Sequence, residues 1–130
     1  MVHELTPSRS TLPPIDDWRT GDSRRLSFTV TVDDAGTPKD ISNDDLRWSL
    51  LEKPYHEREQ AIVTDESSGV NLRTDPFTDP EAGAFEVIVA EDTVDEWGAA
   101  VQRVVVDPVT DSRQSWVGPV TITARGGGNA

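Results

Sequence analysis

The reading of this chain turns on residues 84–123, AFEVIVAEDTVDEWGAAVQRVVVDPVTDSRQSWVGPVTIT. Phe85, Val87 and Val89 alternate with Glu86, Ile88 and Ala90, the period-two pattern of a half-buried strand. The acidic segment EDTVDEWG breaks that alternation and closes on Gly98. In the next run Val101, Arg103 and Val105 share one face, and Gln102, Val104 and Val106 the other. After the polar loop DPVTDSRQ, Trp116, Val117, Val120 and Ile122 supply a last strand, which Gly118-Pro119 is expected to interrupt. Three strands joined by short polar connections predict antiparallel sheet. The stretch carries scaffold rather than the chemistry of a site.

Working outward, RRLSFTVTV (residues 24–32) sets Leu26, Phe28, Val30 and Val32 against Ser27, Thr29 and Thr31. Its β-branched and aromatic residues suit a pleated, half-buried surface. Asp33-Asp34-Ala35-Gly36-Thr37-Pro38 then supplies turn chemistry. LRWSLLE repeats the alternation through Leu46, Trp48 and Leu50, with Trp48 expected to plug the core between two sheets. The short strands AIVT and VNLRT follow, and residues 75–83, with two Asp-Pro steps, are loop. About seven to eight short strands, punctuated by turns and without a long helical run, predict an all-β fold. The expected architecture is an antiparallel, immunoglobulin-like β-sandwich over residues 21–124. Residues 1–20 read as an extended N-terminal arm, and residues 125–130 as a flexible Gly-rich tail. Pro13, Pro14, Ile15 and Trp18 are the expected partner-binding anchors of the arm, docking on a neighbouring subunit or back along their own sandwich. Ile15 and Trp18 would be costly to leave bare.

Charge narrows the function. Twenty-four acidic residues oppose twelve basic ones, for a net charge of -12 and a pI near 4.4. Such a chain repels phosphate backbones, so nucleic acid is not an expected partner. Only Lys39 and Lys53 are lysines; the other basic residues are arginines. An acidic shell poor in Lys suits molar salt, where the Debye length is about 3 Å and self-repulsion is screened. Without cysteine there is no disulfide framework and no thiolate chemistry. No apolar run approaches the length of a membrane span, and the first residues lack the apolar core of a signal peptide, so no membrane association is expected.

Candidate chemistry is thin. His3 lies in the arm and His56 in a charged loop beside Tyr55, and neither belongs to a nucleophile–base set or a paired metal motif. Asp33-Asp34, Asp44-Asp45, Asp75 with Asp79, and Asp107 with Asp111 invite a calcium reading. Calcium needs six to eight converging oxygens, and none of these segments has EF-hand spacing. No catalytic residue, cofactor or metal is expected, and the chain is read as non-enzymatic.

The order of turns carries a resemblance. Gly21-Asp22 opens an alternating strand, Asp34-Ala35-Gly36-Thr37-Pro38 closes it, and Asp40-Ile41-Ser42 follows. Gly83, Glu91-Asp92-Thr93, Gly98, Asp107-Pro108 and a Gly118 ahead of Val120-Thr121-Ile122 complete the series. Over residues 21–124 this pattern resembles the small Ig-like sandwich of tailed-phage tail proteins, similar to the N-terminal domain of upper baseplate proteins. Asn43-Asp44-Asp45 and Ala99-Ala100 depart from it, where a Gly-Ala step and an aromatic are usual. With the acidic composition, the resemblance implies a structural virion protein of a haloarchaeal tailed virus, in its tail or baseplate. Its implied partners are other virion structural proteins and copies of itself. One alternative is a host receptor- or glycan-binding module, with Tyr55, His56 and Trp97 as loop contacts and Trp116 as a further stacking platform. Another is a capsid decoration or head–tail connector protein. The salt reading has a direct check: circular dichroism from dilute buffer to molar KCl should show folding that strengthens with salt. Full folding in dilute buffer would count against it.

Overall fold

The computed structural model describes residues 2–107 and 113–124. They form nine strands: β1 (Val2–Leu5), β2 (Ile15–Arg19), β3 (Arg24–Val30), β4 (Asp45–Leu51), β5 (Val63–Thr64), β6 (Val70–Arg73), β7 (Ala84–Val89), β8 (Gly98–Asp107) and β9 (Gln114–Thr123). Two short 3-10 turns, Arg58–Gln60 and Pro80–Ala82, are the only helical pieces among the described residues. The strands make two sheets, one ordered β1-β3-β7-β6 and the other β2-β9-β8-β4-β5. The sheets pack face to face as an all-β sandwich. Alternation delivers the core: Leu26, Phe28, Val30, Phe85, Val87 and Val89 from the first sheet meet Trp48, Leu50, Val104, Trp116, Val120 and Ile122 from the second. Phe28 and Phe85 stack with ring centroids 5.0 Å apart.

Three expectations are corrected. The first is the single sheet expected over residues 84–123. It splits, because β7 pairs with β3 and β6 in one sheet while β8 and β9 pair in the other. The acidic connection between β7 and β8 is therefore a crossing between layers. Its one aliphatic residue, Val94, is fully buried, and its backbone is tied to Gly21: Gly21 N–H donates to the Val94 carbonyl at 2.8 Å, and Asp92 N–H to the Gly21 carbonyl at 2.9 Å.

The second correction concerns β9, which runs unbroken through Gly118-Pro119. Val117 exchanges backbone bonds with Ser10 and Leu12 on the β2 side, so the missing N–H of Pro119 also falls on that side. There the neighbouring chain is Pro13-Pro14 and the ladder is already irregular. Gly118 is required by close approach, since a Cβ there would lie 2.6 Å from Leu12 Cβ and 2.8 Å from the Leu12 carbonyl oxygen.

The third correction is strand direction. The sheets are mixed rather than antiparallel, because the N-terminal residues fold back along their own sandwich. β1 pairs in parallel with β3, residues 6–14 cross over, and β2 pairs in parallel with β9. Leu5, Leu12, Ile15 and Trp18 all enter the core. Removing Trp18 tests this closure. Trp18→Ala should cost ~3–5 kcal/mol in denaturant unfolding, as deleting a fully buried tryptophan does elsewhere. A loss below ~1 kcal/mol, within the range of surface changes, would show that β2 does not close the core.

Candidate interaction surface

Strand directions sort the loops into two ends. Register pairs Arg24 and Val70 with Val89, and Leu51 with Val101, so the 20–23, 52–62, 65–69 and 90–97 connections share one end. Residues 6–14, 31–44 and 74–83 share the other.

At that second end the aspartates act as turn formers. Asp33 Oδ1 accepts from the backbone N–H of Ala35 (3.0 Å) and Thr37 (3.1 Å), and Oδ2 accepts the Thr37 hydroxyl at 2.8 Å. The Thr37 hydroxyl, then its N–H, holds the Asp33 carboxyl below the usual carboxylate range. Asp40 Oδ1 accepts from Ser42 N–H (2.9 Å) and Ser42 hydroxyl (2.6 Å), with the same effect on its pKa, and tucks Ile41 into the core. Asp44 pairs with Lys39 at 2.9 Å, and Asp45 with Arg47 at 3.2 Å. Among the described residues no group of three or more His, Cys, Asp or Glu could hold a metal ion. Asp111 lies outside the described residues.

The expected contact residues divide. Ile15 and Trp18 are 5% and 0% exposed, so they anchor the N-terminal segment to its own core. Pro13 and Pro14 stand exposed on the crossing segment. Tyr55 and Trp97 are 74% and 73% exposed, at the shared end of β4 and β8. His56 meets the Tyr55 ring edge-on at 5.1 Å. Arg103 pins this loop from β8, donating to the carbonyls of Pro54 (2.7 Å) and His56 (3.2 Å). Trp116 is corrected as a stacking platform: it points inward from β9, 1% exposed, and its Nε1 donates to the Thr6 carbonyl at 2.9 Å.

Phe77 was not foreseen. It stands 61% exposed in the 74–79 loop, with the Arg73 guanidinium 4.1 Å from its ring centroid. Glu86 holds Arg73 through Nε (3.2 Å) and an Nη (3.0 Å) and also faces Arg25 at 3.6 Å, so the ring sits on an ordered cation. The sequence signal was a lone aromatic in an Asp-Pro-rich loop, which reads as loop and nothing more.

No protein-family model matches the sequence, and no curated protein is similar to it. A solved structure shares the fold. The N-terminal domain of phage TP901-1 ORF48 superposes with a TM-score of 0.58 and 11% identity, over 94% of this chain and 96% of that one. The cysteine protease inhibitor EhICP2 of Entamoeba histolytica has a TM-score of 0.38 at 11% identity, over 93% of this chain and 94% of that one, too low to carry an argument. At such identity the phage domain shows a shared fold and nothing finer.

One buried titratable group gives a pH test. Burial holds His3 below its ordinary value of 6.5, so between the two values the unfolded chain takes a proton that the folded chain refuses. The His3 contribution to stability is therefore fully present above pH 6.5 and is lost as pH falls through the folded value. Asp17, Asp33 and Asp40, each lowered by hydrogen bonds to its carboxylate, add a second loss below their ordinary value of 3.8. Denaturant midpoints measured against pH at fixed salt should show both steps, and His3→Phe should remove only the upper one.

Proposed function

We propose that this chain is a structural protein of the virion of a tailed virus of halophilic archaea, placed in the tail or baseplate. The observation that carries the reading is a sandwich shared over 94% of this chain with a phage protein domain. Turn residues behind the resemblance support it, because three of them do a specific job in the fold. Gly21 ties down the 90–97 crossing, Gly83 packs against the backbone of Val30 and Lys39, and Gly118 admits Leu12. The net charge of -12 supports the high-salt setting.

In this role the chain is a rigid spacer and docking module rather than a catalyst. Its partners are other virion proteins and further copies of itself. Tyr55 and Trp97 offer a second use of the same scaffold, contact with a host surface, because both rings are held at one end with most of their area in water.

Immunogold labelling of purified particles, with antibody against this chain, tests the reading. Label at the tail or its tip is expected. Label on the head would move the chain to a decoration or connector role, and its absence from particles would overturn the virion assignment. Loss of host adsorption in a Tyr55→Ala/Trp97→Ala double variant, with assembly intact, would instead favour the host-contact reading.

A further inference from the structure

Among the described residues each sheet ends in two edge strands, and the one on the N-terminal side of the first sheet is joined by a groove. β1 is the outermost strand of the first sheet and pairs only with β3. The Leu5 carbonyl faces β3, since the neighbouring Thr31 N–H donates to it at 3.0 Å. By alternation, the backbone N–H and C=O groups of Val2 and Glu4 face outward. Beside this edge the crossing segment leaves for the second sheet, and a groove of 480 Å³ opens between them, lined in part by His3, Glu4, Thr6, Arg9 and Asp34.

Two of these residues have buried side-chain atoms without a partner, His3 Nδ1 and Thr6 Oγ1, although the residues are only 9% and 8% exposed. A buried polar atom left unpaired costs about 1–3 kcal/mol. Two beside one groove, next to outward backbone donors and acceptors, are groups that an incoming segment could pair.

We propose that the β1 edge takes an extended segment of a different virion chain, which adds a strand to the first sheet and presents a hydroxyl-bearing side chain to His3 and Thr6. The inference rests on the virion reading above. An extended polypeptide fits because it alone supplies a matching row of N–H and C=O groups, and β1 offers about 13 Å of edge at ~3.3 Å per residue. A hydroxyl fits because it both donates and accepts, whatever tautomer His3 adopts. A second copy of this chain fits poorly. Antiparallel self-pairing of β1 in the register that overlaps Val2 to Glu4 would set His3 against His3 and Glu4 against Val2, and VHEL contains no hydroxyl. It would also bring another net charge of -12 onto a rim where Glu4 and Asp34 outnumber Arg9. The incoming strand is therefore expected to carry Lys or Arg on its outer face, against Glu4.

Hydrogen exchange read by mass spectrometry tests this on the intact chain. Peptides covering residues 1–8 should exchange at least ~10-fold more slowly in purified particles than in the free protein at the same salt. Glu4→Pro removes one outward N–H and no bond to β3, so it should melt like the parent chain yet enter particles at least ~10-fold less well. The pair His3→Phe and Thr6→Val should melt no lower than the parent, because it removes the two unpaired buried atoms beside the groove, and should also enter particles poorly. Segment 1–8 exchanging as fast in particles as in solution, or Glu4→Pro entering particles normally, would overturn the proposal. Protection that arises on concentrating the free chain would assign the edge to a second copy and overturn the choice of partner. Failure to find the chain in particles at all would instead sink the virion reading on which the inference stands.

Discussion

Burial of Trp18, Trp48 and Trp116 between two sheets that share no ladder is the interaction on which the rest of this molecule depends. All three indoles project from the second sheet toward the aliphatic and phenylalanine face of the first. Their removal from water supplies the non-directional attraction that holds two separate hydrogen-bonded layers together. Two of the ring N–H groups are also given acceptors: Trp116 donates to the Thr6 carbonyl, and Trp48 to Gln102 Oε1 at 3.2 Å, deep in the core. Each bond ties segments distant in sequence, so the aromatic core sets position as well as cohesion.

That core is closed by the N-terminal twenty residues, and closure explains several local oddities together. A segment that leaves the edge of one sheet to join the edge of the other must run between layers. It therefore buries Leu5, Leu12, Ile15 and Trp18 while keeping Pro13 and Pro14 in solvent. Because β1 and β2 each join a strand that points the same way, the sheets become mixed at their margins. The close pass of Leu12 over β9 requires a glycine at 118, and the local irregularity tolerates Pro119 within a ten-residue strand.

Outside the core, the acidic excess is organised by local geometry. Asp33 and Asp40 cap their own turns, Asp44 meets Lys39, and Glu86 joins Arg25 and Arg73 across the outer face of the first sheet. Arg58 and Arg47 share Glu66 at 2.9 Å each, and Arg58 also reaches Asp65 at 2.8 Å, which stitches the β4–β5 margin. The exposed pairs among them, such as Arg47 with Glu66, contribute little individually, ~0–1 kcal/mol, and lose strength in salt. Their use here is positional: they fix the loops that frame Tyr55, Phe77 and the groove beside β1.

Period-two alternation was legible in the residues alone, and it located seven of the strands, the all-β class and the inward placing of Trp48, because side-chain direction in a strand is a local property. Turn chemistry was legible for the same reason: Gly21, Gly36, Gly69, Gly83 and Gly98 all adopt positive φ. Partner choice was not legible. The run after Gly83 looked like one sheet, since nothing in AEDTVDEWG distinguishes a hairpin from a crossing until Val94 is seen to have a hole to fill. The N-terminal stretch looked like an arm because prolines disrupt its periodicity, although its spaced apolar residues are what the open margins of both sheets require. The groove beside β1 had no sequence signature at all. It exists because two strands adjacent in the chain joined different sheets, a consequence of long-range pairing and burial that no local pattern encodes.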